Sequence, residues 1–439
     1  MDLPPIVALY NNLETFYPFL QRSNDPDIFE KRKYRGDRGL FWLGPAKLLV
    51  TTAPAPGARE ICDRWGYQQT DLISPRSPTH QLSLDIARDP NLIQRIVEYA
   101  GPGRAIRLIP YATTKEFFHL ADVLTRDHGI AVHLPESPQR DSLWLRNYVD
   151  TKVGFRSLSE HWLGSEARLP QGIACQNIPQ AAEVVTWFLK RGQSCLAKAD
   201  GGESGIGHLV FEPSTTATDL ETSVLERLQD NSFLREGIIL VEEFIPSNDG
   251  TSPSLEFYVP PLGEGEPHVT YLSGQIFEQF GRFAGVLIGR DMLRSPWYPA
   301  LEKCGLKVAR ELQNAGYAGI FDLDCVVDDD GGLWFLEINA RRTGGTYVHE
   351  FACNTFGSDY LSRVVVLSTN TIRCDGIHDA THLLATLDDL LLPPGSARGL
   401  VVTVTSTLQA GEFGGMFIAP NETDVLKLRA ETLARLHSD

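Results

Sequence analysis

Apolar and polar residues follow two periods along this chain. Short runs alternate with period two, and longer ones repeat every three to four positions. From Ala46 the two patterns take turns. Lys47 to Thr52 predicts a strand and Gly57 to Trp65 a helix. Asn91 to Tyr99 predicts a helix, Ala105 to Pro110 a strand, Thr113 to His128 an amphipathic helix, and Ile130 to Leu134 a strand. Alternation of this kind predicts an open α/β layer with parallel strands. The segments after Thr51 and Pro110 lie at strand C-termini, where such sheets bind ligands. No Gly-x-Gly-x-x-Gly follows the first strand, so a dinucleotide site is not supported. Residues 1 to 45 read as a helix and an irregular lead-in. Their charged run, Glu30 to Arg38, reads as a solvated surface, with an interdomain contact as the alternative.

After a linker at Pro135 to Pro138 the pattern changes. Asp150-Thr151-Lys152 opens a helix. Ser194 to Lys198 and His208 to Phe211 predict strands around a glycine-dense loop, Asp200 to Gly207. Such a loop lets backbone N–H groups approach phosphate oxygens, and it is mobile enough to act as a lid. Lys198 sits on the strand feeding it and would meet phosphates as a point charge. Gly237 to Ile245 is a buried strand carrying Glu242 and Glu243. Leu255 to Pro260 and His268 to Gln279 predict strands, and Trp297 to Ala315 a helix. The final residues, 380 to 439, read as helix, strand (Leu400 to Ser406), strand (Gly415 to Ile418) and helix (Glu422 to Leu436).

Two alternating runs, Ile320 to Val327 and Leu333 to Arg341, flank Asp330-Gly331, a strong hairpin signal. A hairpin closed there sets Asp324 opposite Glu337 and Asp322 opposite Asn339. Leu336, Ile338 and Ala340 take the other face. Opposed carboxylates about 5 Å apart repel, so the face calls for a cation. Mg²⁺ takes one or two carboxylates and completes its shell with water and phosphates. Arg341, on the same face, would add a fixed charge for a phosphate or carboxylate. The alternative is an acidic, solvated hairpin face.

Composition narrows the field. The 439 residues suggest two to four domains, and a net charge of −16 argues against nucleic-acid or anionic-membrane partners. No apolar run approaches a membrane span, and the first residues lack the pattern of a signal peptide. Seven cysteines without a Cys-x-x-Cys pair fit a reducing, cytoplasmic setting.

Asp324, Glu337 thirteen positions on, then Asn339 and Arg341, resemble the metal-binding end of the ATP-grasp ligases. The resemblance implies an α/β and α+β architecture. A parallel N-terminal domain (1–140) would precede an ATP-grasp core of two α+β subdomains (141–370, lid about 190–245) and an αββα tail (371–439). It further implies ATP with Mg²⁺, or Mn²⁺ in its place, held by Asp324, Glu337 and Asn339. Lys152 and Lys198 would meet the phosphates, with Gly202, Ser204 and Gly205 of the loop. Glu242, Glu243, Phe244 and Ile245 would hold adenine and Asp249 the ribose, with Glu256 as the other candidate. Some members carry an arginine two positions before the aspartate, where this chain has Asp322. Arg341 is then the first candidate for the acyl-phosphate, and Arg282 or Arg290 for a substrate carboxylate. Thr343 to Tyr347 could receive the acceptor. The implied reaction joins a carboxylate to an amine through an acyl-phosphate. The chain looks most similar to the peptide-ligase branch of natural-product pathways, of the pheganomycin type, with amino-acid or peptide substrates and a homodimer as the assembly to consider. The alternatives are loading of an amino acid onto a carrier-protein thiol, and a nucleotide-binding regulator without turnover.

Overall fold

The computed structural model describes residues 3–10, 13–202, 205–213, 219–247, 250–278 and 282–437. Three sheets follow one another along the chain. The first has strands β1 (Ile6–Tyr10), β2 (Lys47–Thr51), β3 (Thr70–Ile73), β4 (Ala105–Pro110) and β5 (Ala131–His133), in the order β3-β2-β1-β4-β5. All its pairings are parallel. The parallel α/β layer expected from the alternating pattern is therefore present. Its central strand, however, is β1, in the stretch read above as a helix and lead-in. Every residue of β1 is buried. A strand covered on both faces shows a continuous apolar run and no alternation, which is why the period gave no strand there.

The end of the charged run needs a second correction, although Glu30 is exposed and Lys33 to Arg35 are half-buried. Gly36–Phe41 is a buried 3-10 turn, not a solvated surface. Asp37 is fully buried and accepts from the Ser406 amide (2.9 Å) and the Ser406 hydroxyl (2.9 Å), and Thr405 donates its amide to the same carboxylate. The adjoining Leu40, Phe41 and Trp42 are wholly buried and draw the turn inward. The burial of these three outweighs the cost of enclosing one acid with three donors.

The second sheet holds β6 (Gly172–Cys175), β7 (Cys195–Ala199), β8 (His208–Phe211) and β9 (Ile239–Glu243), in the antiparallel order β6-β9-β7-β8. The third is eight-stranded. It contains β10 (Pro253–Val259), β11 (His268–Glu278), β12 (Arg282–Ile288), β13 (Gly319–Val327), β14 (Leu333–Asn339), β15 (Val365–Arg373), β16 (Gly399–Val404) and β17 (Glu412–Ala419), in the order β14-β13-β10-β11-β12-β15-β17-β16. The tail shows the expected order of helix Ala380–Thr386, β16, β17 and helix Glu422–Leu436. Its strands continue the core sheet through β15, and residue 370 falls inside that strand.

Behind the β13–β14 hairpin, Phe321, Leu323, Cys325, Phe335 and Ile338 pack with Leu301, Val308 and Leu312 of the helix Tyr298–Asn314. Gly305 makes the approach possible, since a Cβ there would lie 2.1 Å from the Phe257 ring. Among the described residues no helix is long and apolar enough to cross a membrane, and all seven cysteines are free.

Candidate active site

The hairpin register is the expected one, reached by a different route. Asp322 pairs with Asn339 and Asp324 with Glu337. Nearer the turn, Val327 pairs with Leu333 and Cys325 with Phe335, one step out of phase, and a bulge between Asp324 and Cys325 restores the phase. The Asp328 carboxylate organises the turn by accepting from the Asp330 amide (3.0 Å), the Gly332 amide (2.6 Å) and the Trp334 indole (2.7 Å). Leu336 is the extra residue of the bulge. Phe335 therefore enters the core in its place, and Leu336 is half-buried.

The acid face is buried and short of partners. Asn339 Nδ2 donates to Asp324 Oδ2 (2.9 Å) and Ser254 Oγ to Asp322 Oδ2 (3.2 Å). Asp322 Oδ1 and Asp324 Oδ1 are buried with no hydrogen-bond partner among the described residues. Burial, then repulsion from Asp322 and Glu337, push Asp324 well above the usual carboxylate range. Burial also carries Asp322 up to about 7 against the pull of Arg341. Glu337 behaves oppositely: its burial is outweighed by the ammoniums of Lys152 and Lys198, which hold it down to about 2. Lys152 Nζ lies 3.2 Å from Glu337 Oε2.

These orphaned oxygens fit a hard divalent ion. Among the described residues no three His, Cys, Asp or Glu side chains converge as a ready-made cluster. The sparse set of Asp324, the Asn339 amide and a Glu337 engaged by lysine suits Mg²⁺, which relies on water and phosphate for the rest of its shell.

Three elements meet here. Lys152 begins the helix Lys152–Leu163, whose Val153 amide is capped by Asp200 Oδ1 (2.8 Å) at the mouth of the glycine loop. Lys198, on β7, forms an ion pair with Glu242 of β9, which also lies 3.4 Å from Arg156. The charges of both lysines, after burial, keep His208 neutral by lowering its pKa well below the usual imidazole value. Gly202 has φ 123°, and a Cβ there would meet the Phe19 ring at 2.6 Å, so the loop lies close against the N-terminal segment. Gly205 is likewise left-handed, at φ 74°. Ser204 and Asp249 lie outside the described residues.

In the hinge, the Glu243 amide donates to Gln171 O (2.8 Å) and the Phe244 amide to Ser194 O (3.0 Å). Phe244 is exposed and Ile245 half-buried. Glu256 is engaged at both oxygens by Thr270 (2.9 Å) and Thr346 (2.5 Å).

Arg341 projects from the end of β14 over the rings of Phe16 (5.0 Å) and Tyr111 (5.5 Å), and donates to Asn339 Oδ1 (2.7 Å). Its Nε has no partner among the described residues. Arg282 and Arg290 are both exposed; Arg282 opens β12 and Arg290 lies two residues past its end, roughly 25 Å on along the chain. One substrate group cannot touch both. The Thr343 to Tyr347 stretch is tightly packed: a Cβ at Gly345 would lie 2.4 Å from the Tyr271 hydroxyl, and a helix begins at Thr346. In the sequence Asp150 reads only as the opening of a helix. It accepts from the Ala340 amide (2.8 Å) and pairs with Arg146 (3.2 Å), fixing the strand end that carries Arg341. An isolated Asp before a helix gives no signal of so distant a partner.

No protein-family model and no curated protein match the chain. Solved structures match along nearly its whole length. One is the biotin carboxylase domain of Hydrogenobacter thermophilus 2-oxoglutarate carboxylase, a dimer in complex with MgADP, ADP and bicarbonate. It has a TM-score of 0.59 at 13% identity, over 98% of this chain and 90% of that one. Campylobacter jejuni biotin carboxylase, bound to an ATP analogue, has a TM-score of 0.58 at 12% identity, over 99% and 91%. N5-carboxyaminoimidazole synthase from Aspergillus clavatus, with ADP and 5-aminoimidazole ribonucleotide, has a TM-score of 0.53 at 12% identity, over 99% of both chains. The likeness is one of fold: this chain has the ATP-grasp architecture of these enzymes, with the parallel domain in front.

Proposed function

We propose that this protein is an ATP-dependent carboxylate–amine ligase. The observation that carries the reading is the meeting of Lys152 with Glu337 beside the partnerless oxygen of Asp324. Helix, β7 and hairpin, far apart in sequence, bring the charges of Lys152 and Lys198 to bear on Glu337, the cross-strand partner of Asp324. Such a set has no structural economy but suits a nucleotide triphosphate with its metal. Asp324, Glu337 and Asn339 would hold Mg²⁺, which neutralises charge on the phosphates. Lys152 and Lys198 would exchange their carboxylate partners for phosphate oxygens. Gly202, Ser204 and Gly205 would lie over the phosphates. The segment Glu242 to Ile245 would hold adenine through backbone groups not used in the sheet, and Asp249 the ribose.

The substrate carboxylate would attack the γ-phosphate, giving an acyl-phosphate and ADP. An amine then displaces phosphate and leaves an amide. Arg341, pinned between two rings, would stabilise the acyl-phosphate. The amino-acid or peptide nature of the substrates, a place in natural-product assembly and a homodimeric state belong to this proposal. The H. thermophilus domain is itself a dimer. The free cysteines fit a cytoplasmic setting.

The test is ADP formation across a panel of amino acids and dipeptides, with product mass by mass spectrometry. ADP release that needs both an acid and an amine, with an amide product, supports the proposal. A thioester formed on a carrier protein would replace the acceptor. MgATP binding without turnover on any pair would mark a regulator.

A further inference from the structure

The basic run that folds inward leaves guanidinium groups the ligase chemistry does not use. Arg38 is 8% exposed, and its Nε and Nη2 have no hydrogen-bond partner among the described residues. It lies over the Tyr347 ring at 5.8 Å, and the Tyr347 hydroxyl is also buried with no hydrogen-bond partner among the described residues. Arg35 has a left-handed backbone, φ 76°, fixed by its amide's bond to Ser406 Oγ (2.8 Å). A non-glycine residue held there carries strain that the surroundings must impose. Its guanidinium reaches Thr371 Oγ1 (3.0 Å) and stands 4.0 Å from Glu412. Burial, then repulsion from Arg38, lowers Arg35 to about 10 against the pull of Glu412, and the charges of Arg32 and Arg282 push the same way. Arg32 also feels Tyr111, the ring on which Arg341 packs. Of the acids nearby, Asp37 is already held by Thr405 and Ser406. Among the described residues Arg38 Nε and Nη2, one turn on from Arg35, are therefore left without an acceptor.

We propose that Arg35 and Arg38 form a subsite for an oxyanion carried by the second substrate, away from the bond being made. The guanidinium fork matches both carboxylate and phosphate. The inference rests on the ligase reading for what the anion belongs to, and on the arginines alone for its existence.

The experiment is calorimetric titration of succinate, and separately of inorganic phosphate, at constant ionic strength into protein saturated with MgADP. At least one anion binds saturably at a single site, and the tighter of the two identifies the source. Arg35→Gln and Arg38→Gln each weaken it about tenfold or more, as expected for a lost charge-assisted bond. MgADP affinity stays unchanged in both, which also reports that the variants fold, and the half-exposed Arg35 serves if Arg38→Gln does not. Arg294→Gln, on an exposed pair with Asp291, binds as wild type. Absence of saturable anion binding, or wild-type affinity in both variants, overturns the subsite. Anion binding in a protein that does not bind MgADP would leave the subsite and remove the ligase reading.

Discussion

Arg341 and Arg342 are neighbours at the end of one strand, yet their surroundings differ in kind. Arg342 grips Glu136 with two bonds of 2.7 Å, bonds Glu350 at 3.0 Å and covers the Trp42 ring at 4.7 Å. Glu136 follows the parallel sheet and Glu350 lies on the helix Thr346–Phe356, so this cluster ties the N-terminal domain to the core. Arg341 instead bonds Asn339 and feels Asp322, a buried aspartate with one oxygen lacking a partner among the described residues. Where buried charges are fully bonded they fix the fold, and where they are left short they are free to act on a ligand.

Four variants sharpen or break that contrast. Arg342→Ala strands two half-buried carboxylates beside the place of a buried guanidinium and should cost about 3 kcal/mol in chemical denaturation. A loss under about 1 kcal/mol would erase the difference between the two arginines. Asp324→Asn should do the reverse. ADP formation falls a hundredfold or more, while stability holds or rises by about 1 kcal/mol because a repelled carboxylate is gone. A clear loss of stability would make the acid face structural too. Glu256→Gln probes the ground behind the hairpin. Burial lifts Glu256 to about 7, above its unfolded value, so the native state holds a proton the unfolded chain has lost. Stability is then full below about pH 4.5 and falls as pH rises towards 7, by roughly 3 kcal/mol. The variant should flatten that slope, and an unaltered slope would place it elsewhere, with Asp322 next in line. The smallest effect is Lys198→Ala, which should raise KM for ATP about tenfold. An unchanged ATP titration would detach the lid strand from the phosphates.

Much of this was legible in advance because alternation in a hairpin fixes which residues face each other. Asp324 opposite Glu337 followed from the pattern alone. The turn did not, because Asp328 bonds its own loop and a bulge absorbs the slip. The pairing of Glu337 with Lys152 joins residues 185 positions apart in number, and only the helix's docking reveals it. The buried basic run misled for a related reason. A charged stretch reads as solvated unless the partners it meets, here the donors Thr405 and Ser406 and the acceptor Thr371, can be seen. β1 was missed because burial on both faces removes the alternation itself.

The most direct measurement is the anomalous signal of Mn²⁺ in crystals grown with a non-hydrolysable ATP analogue. The account predicts a peak between β13 and β14, within about 2.1 Å of carboxylate oxygens of Asp324 and Glu337, with the analogue's phosphates beside Lys152. A peak elsewhere, with both carboxylates uncoordinated, would contradict it.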